Sequence, residues 1–219
     1  MTRVKICGLT TESDLELVVG AGVDAVGIIV DVPVETPREV SVDRAAELAD
    51  AVPPFAASVL VTMPDTVDRT VHVADAVEPD VLQLHGEFGV DELADIRERT
   101  GRSLVLAVDA DEASNAGRYD GTVDAFLVDT PAEDGGGGTG RTHDWGRTKS
   151  VAANLESPVI LAGGLTPENV DAAVDAVDPF AVDVASGVEA EGGIKDGDAV
   201  RSFVEHAKHS YGTEASPQP

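Results

Sequence analysis

The chain has 219 residues, 41 acidic against 15 basic side chains, one cysteine and 42% hydrophobic content. That length and apolar fraction suit one domain with a real core, or at most two small ones, and exclude wholesale disorder. A formal charge of −26 opposes stable binding to bulk nucleic acid; a lone Cys7 excludes an intramolecular disulfide or a multi-cysteine metal site, and no uncharged stretch is long enough to span a bilayer.

In chain order, eight short runs rich in Val, Ile, Leu and Ala read as strands: Val4–Cys7, Ala25–Val30, Ala57–Val61, Val81–Leu84, Leu104–Val108, Ala125–Val128, Val159–Ala162 and Ala181–Ala185. Their near-continuous apolar character is that of parallel strands covered on both faces. The stretches between them carry helix signals. Thr11 precedes a periodic apolar pattern that Gly22 ends, and Ser41 opens the next. Asp65, Val90, Asp111 and Asp144 lie near further starts, and Pro167 after Thr166 occupies a first-turn position. The last helix spans Gly197 to about His209.

Eight strand–helix units at intervals of ~20–30 residues predict an α/β protein with a single (β/α)8 TIM barrel over residues 1–210, followed by a frayed tail over 211–219. A doubly wound open sheet explains the alternation as well but does not require eight units.

In such a barrel the site lies at the C-terminal strand ends, where this sequence places Cys7-Gly8, Arg38 in a loop, His85-Gly86, Asp109, Asp129, Gly163-Gly164 and Ser186-Gly187. The two-residue period puts Lys5 on the face of Cys7, Gln83 on that of His85, and Ala125, Leu127 and Asp129 together. Strands one and eight adjoin on closure, so Lys5 and Asp183 are expected to pair inside the barrel, because either charge buried alone costs several kcal/mol.

Six segments, Lys5-Ile6-Cys7-Gly8-Leu9-Thr10, Gln83-Leu84-His85-Gly86, Leu127-Val128-Asp129-Thr130, Gly137-Gly138-Thr139-Gly140, Leu161 to Val170 and Asp183 to Glu189, stand together in this order. In that order and spacing, from residue 3 to about 200, the chain resembles the phosphoribosylanthranilate isomerases. The resemblance implies an Amadori rearrangement in tryptophan biosynthesis, from N-(5-phosphoribosyl)anthranilate to 1-(2-carboxyphenylamino)-1-deoxyribulose 5-phosphate. It assigns the base to Cys7 and the acid to Asp129, with neither a metal nor an organic cofactor. It further implies that Arg38 meets the anthranilate carboxylate, His85 positions substrate, and the run containing Gly138 and Gly140 forms a lid. Gly163, Gly164, Ser186 and Gly187 would bind the phosphate.

Taken one at a time, these residues have plainer readings: a buried thiol filler, a turn aspartate, a solvated loop arginine, a rim histidine, a flexible loop and two tight turns. The family pattern is also broken in places. Gly27-Ile28-Ile29-Val30 stands where aromatic residues are usual, Ala185 replaces a serine, and His143 replaces a phenylalanine.

The chemistry sets its own demands. A thiol of pKa ~8.5 needs a nearby cation to ionise at neutral pH. Lys5 is the candidate, though pairing with Asp183 would blunt its field. An aspartic acid needs burial or negative neighbours to hold a proton. Two competing functions fit less of the chain: a non-catalytic binder of phosphorylated ligands, which would need neither Cys7 nor Asp129, and another sugar-phosphate barrel. The expected partner is a small phosphorylated substrate, with no nucleic acid or membrane, in a cytoplasmic monomer or homodimer. Dense carboxylates predict a halophilic setting, where ~1 M salt shortens the screening length to ~3 Å.

Overall fold

A hydroxyl stands ready wherever the first three helices begin. Thr11 accepts from the Asp14 N–H at 3.1 Å, Ser41 from Arg44 at 3.2 Å and Thr66 from Arg69 at 3.2 Å. Each satisfies one of the backbone donors that a helix start leaves without an intrahelical partner. The helices that follow are α1 (Glu12–Gly20), α2 (Val42–Asp50) and α3 (Val67–Val77), then α4 (Val90–Thr100), α5 (Trp145–Ala152), α6 (Val170–Val177) and α7 (Gly197–His209). The computed structural model describes residues 1–109, 113–129 and 145–209. None of its helices, among the described residues, is long and apolar enough to cross a membrane.

The strands are β1 (Arg3–Cys7), β2 (Ala25–Ile29), β3 (Ala57–Thr62), β4 (Val81–Leu84), β5 (Ser103–Asp109), β6 (Ala125–Asp129), β7 (Val159–Leu161) and β8 (Ala181–Val184). They pair in parallel, each with the next, and β8 returns to β1 to close the barrel. Closure sets Lys5 opposite Asp183 in register. A short antiparallel hairpin, β9 (Glu189–Glu191) and β10 (Ile194–Lys195), follows a 3-10 turn at Ser186–Val188.

Three aspartates brace the barrel floor in the same way. Asp24, Asp80 and Asp124 each precede an even-numbered strand and accept the first N–H contacts of the strand before it, from Val4 at 2.8 Å, Ser58 at 2.8 Å and Leu104 at 2.7 Å. Between sheet and helices lies the larger core, with Val4, Ile6, Leu82, Leu84, Phe126 and Phe203 fully buried. A smaller aliphatic cluster, including Val105, Ala125, Leu127 and Ile160, fills the barrel itself. The floor is thus packed, and the mouth is left for polar groups.

Two expected helix starts need correction. Between β5 and β6 the described residues form a 3-10 turn, Ala113–Tyr119, in place of an α-helix; Asp111 lies outside the described residues. The proline at 167 is in the approach to α6, which starts at Val170. The delay has a local cause: Asn169 accepts from the Thr166 N–H at 2.8 Å and donates to the Gly164 carbonyl at 3.0 Å, so its side chain braces the preceding loop. The tail over 211–219 lies outside the described residues.

Candidate active site

β1 delivers Cys7 to the barrel mouth with Gly27 as its in-register neighbour on β2. A Cβ at Gly27 would lie 2.7 Å from the Cys7 sulfur and 3.1 Å from Lys5 Nζ, so the missing side chain makes the room these groups occupy. Lys5 is two residues earlier and faces the same way. Its ammonium stands beside the thiol and 2.9 Å from Asp183 Oδ1, an ion pair without hydrogen-bond alignment. The expected ion pair forms.

Its electrostatic consequence includes the expected blunting of the Lys5 field, to which burial adds. Burial pushes the Cys7 thiol above its ordinary pKa, and Lys5, countered by Asp183, does not reverse that. For Lys5 burial acts downward, but Asp183 and Cys7 together raise its pKa, so it stays an ammonium. Resting Cys7 is therefore held as a thiol.

A second ionic group closes over this side. Arg38 presents Nε and Nη2 to the two oxygens of Glu189, at 2.9 and 2.7 Å, in a planar fork. Lys195, from β10, reaches beneath with its side chain fully buried. Its Nζ donates to Glu189 Oε1 at 2.8 Å, to the Cys7 carbonyl at 2.6 Å and to the Ala185 carbonyl at 3.3 Å. Two cationic partners pull the Glu189 carboxyl down despite its burial.

Across the mouth, β6 ends on Asp129, whose in-register neighbour on β5 is Asp109. Paired residues of parallel strands project to the same face, and both aspartates line the cavity. Below them Val105, Ala125 and Leu127 keep the interior aliphatic. On β4, the Gln83 amide nitrogen lies 2.8 Å from His85 Nε2. Burial, with Lys5 nearby, lowers the His85 pKa to about 4, so the imidazole is neutral at physiological pH. A neutral ring accepts from that amide.

Two glycine turns complete the rim after β7 and β8. Gly163 and Gly164 adopt φ of +90° and +64°, a region L side chains rarely enter. Gly187 sits so near the first turn that a Cβ would come 1.9 Å from the Leu165 carbonyl oxygen. No side chain fits there.

Cys7, Arg38, His85, Asp129, Gly163, Gly164, Ser186 and Gly187 thus line one cavity of about 630 Å3 at the C-terminal mouth. Gly138 and Gly140, the expected lid, lie outside the described residues, as does His143. The β2 side of the cavity is aliphatic, with Ile29, Val32, Val34 and Met63. Sequence reading missed Gly27, Glu189 and Lys195 as parts of the site. The alternation of charge in Glu189-Ala190-Glu191 and Ile194-Lys195 resembles a solvated hairpin, and nothing in it announces that Lys195 turns inward. Among the described residues, no group of three His, Cys, Asp or Glu side chains could hold a metal ion.

A thiol and a carboxyl facing one cavity at the top of a closed barrel define an enzyme of the (β/α)8 class equipped for acid–base chemistry. A family model described as N-(5'phosphoribosyl)anthranilate (PRA) isomerase matches residues 4–206. The N-(5'-phosphoribosyl)anthranilate isomerase of Haloferax volcanii is 57% identical, over 97% of this chain and 96% of its own. The crystal structure of phosphoribosyl anthranilate isomerase from Thermotoga maritima shares 37% identity at a TM-score of 0.82, covering 95% of this chain and 99% of that one. Another crystal structure of such an isomerase, in complex with reduced 1-(o-carboxyphenylamino)-1-deoxyribulose 5-phosphate, matches at TM-score 0.80 and 34% identity, over 95% and 99% of the two chains. The chain belongs to the N-(5'-phosphoribosyl)anthranilate isomerase family.

Proposed function

We propose that the chain converts N-(5-phosphoribosyl)anthranilate to 1-(2-carboxyphenylamino)-1-deoxyribulose 5-phosphate, with Asp129 as general acid and Cys7 as general base. The observation that carries this reading is the shared cavity, which has Cys7 and Asp129 on opposite sides and Arg38 and the glycine turns at its rim. Asp129 gives its proton to the ribose ring oxygen, the C1–oxygen bond breaks, and the anthranilate nitrogen takes up the positive charge as an iminium. Cys7 then removes the proton from C2, and the resulting enolamine tautomerises to the ketone.

To act as base Cys7 must first give its own proton to solvent, which burial disfavours in the resting site. The thiolate so formed is a strong base, and the iminium beside C2 both acidifies that carbon and stabilises the sulfur anion until it takes the C2 proton. Asp109 stands in register beside Asp129 on the neighbouring strand, so two carboxyl side chains share this part of the mouth. The glycine turns hold the phosphate through backbone N–H groups, and Arg38 receives the anthranilate carboxylate. A related isomerase binds reduced 1-(o-carboxyphenylamino)-1-deoxyribulose 5-phosphate, a ligand with both a carboxylate and a phosphate, as this reading requires. Operation in a salt-rich cytoplasm accords with the charge of −26.

The test is turnover of freshly made phosphoribosylanthranilate in molar salt, followed by loss of substrate fluorescence. Cys7→Ala and Asp129→Asn should each lower kcat by about 10²–10⁴, as loss of a general acid or base does, while inorganic phosphate still binds. Near-normal kcat in either variant removes that residue from the mechanism.

A further inference from the structure

Lys195 and Glu189 join parts of the mouth that are far apart in sequence. The Lys195 ammonium ties the end of β1 at the Cys7 carbonyl to the end of β8 at the Ala185 carbonyl, and through Glu189 to the Arg38 fork. The hairpin that carries it is seated independently: Thr10 donates to the Gly193 carbonyl at 3.1 Å, and a Cβ at Gly193 would come 2.6 Å from the Pro37 carbonyl oxygen. We infer that Lys195 and Glu189 are positioning residues. Their buried contacts fix the base-bearing strand end, the entry to the phosphate turn and the Arg38 guanidinium in one mutual geometry. The inference rests on the function proposed above for its choice of substrate, but the tie itself can be judged by binding.

Position and charge predict different rankings here. Arg38, Glu189 and Lys195 sum to one positive charge. Lys195→Met leaves none, Glu189→Gln leaves two, and the double variant restores one. Were charge alone at work, Glu189→Gln would bind an anionic ligand more tightly than the parent, and the double variant would equal the parent. If geometry governs, all three bind poorly, each losing about tenfold or more, the usual worth of a hydrogen bond to a charged group. The split of kinetic parameters also follows from the contacts. Lys195→Met, which releases the Cys7 carbonyl, should lower kcat as well as raise KM; Glu189→Gln, which frees Arg38, should mainly raise KM.

The experiment measures calorimetric affinity for reduced 1-(o-carboxyphenylamino)-1-deoxyribulose 5-phosphate, with kcat and KM, on the full chain and the three variants in molar salt. Weak binding by the double variant supports the tie. Recovery to within about twofold of the parent, or tighter binding by Glu189→Gln, overturns it. An unchanged kcat in Lys195→Met overturns the part concerning Cys7. If variants lacking Lys195 do not fold, Glu189→Gln decides alone: weaker binding supports the tie, and equal or tighter binding overturns it. A parent that binds the analogue but converts no substrate removes the proposed function and leaves the binding ranking to judge the tie.

Discussion

Around Cys7 three cations gather, Lys5 with Asp183 and both Lys195 and Arg38 with Glu189, whereas Asp129 stands over an aliphatic interior with Asp109 in register beside it. On the function proposed above the two sides solve different problems. The base must be held in place and its anion tolerated, and the cations near Cys7 are all paired with carboxylates. The acid must meet the ring oxygen away from water, and aliphatic side chains supply a dry floor beneath Asp129.

The comparison is broken most severely at Asp183. Asp183→Asn leaves the Lys5 ammonium buried with Cys7 and no counter-charge, and should lower unfolding free energy by about 3–5 kcal/mol in denaturant titrations. The same change should make the thiol more acidic, because Asp183 is one of the groups that raise its pKa. Alkylation of the sole cysteine against pH reads this directly. A variant as stable as the parent, or a thiol no more acidic, would mean the pair does not control this side.

Gly187 tests the rim of the same side. With 1.9 Å between its virtual Cβ and the Leu165 carbonyl oxygen, Gly187→Ala forces apart the two glycine turns proposed to hold the phosphate. KM should rise by about 10–100-fold, with a stability loss of about 1–3 kcal/mol from overpacking. An unchanged KM would place the phosphate elsewhere.

The strand order and the meeting of Lys5 with Asp183 were legible because both follow from alternation: a two-residue period decides which side chains face inward, and eight units make strands one and eight neighbours. The cavity residues at strand ends were legible for the same reason, since each interrupts an apolar run. Lys195 was not, because a hairpin of three and two residues has no periodicity to reveal an inward side, and its partners are backbone carbonyls that any sequence would offer. Gly27 was hidden inside an apolar run, where a glycine resembles packing. At Cys7 the nearness of Lys5 and its blunting by Asp183 are visible in sequence, but the depth of burial that holds the thiol pKa up is not. The repeated aspartates at 24, 80 and 124 read as loop charges until their strand N–H partners are known.

His85 lies between the two sides and feels Lys5 across the mouth. Its folded pKa of about 4 lies below the ordinary 6.5, so between those values the unfolded chain binds more protons and stability rises with pH. Lowering pH from 7 to 5 should cost on the order of 1–2 kcal/mol through this group, with allowance for solvent at the rim. His85→Asn should flatten that part of the stability profile. A profile that stays equally steep would assign the effect to other groups.

The smallest expected effect bears on the Asp129 side alone. Asp109 and Asp129 are paired across β5 and β6 and line the same cavity, together with Arg118, whose guanidinium lies 4.5 Å over the Tyr119 ring, and with neutral His85. If Asp129 acts as the proposed acid, Asp109→Asn alters the side chain in register beside it and leaves the Cys7 side untouched. Then kcat/KM should fall by about threefold to tenfold, as coupling between neighbouring side chains allows. Asp109→Glu, which keeps the carboxyl, should stay within about twofold of the parent. No loss in Asp109→Asn, or an equal loss in both variants, would show that the Asp109 carboxyl does not act on Asp129, and the contrast between the two sides would then reduce to the cations around Cys7.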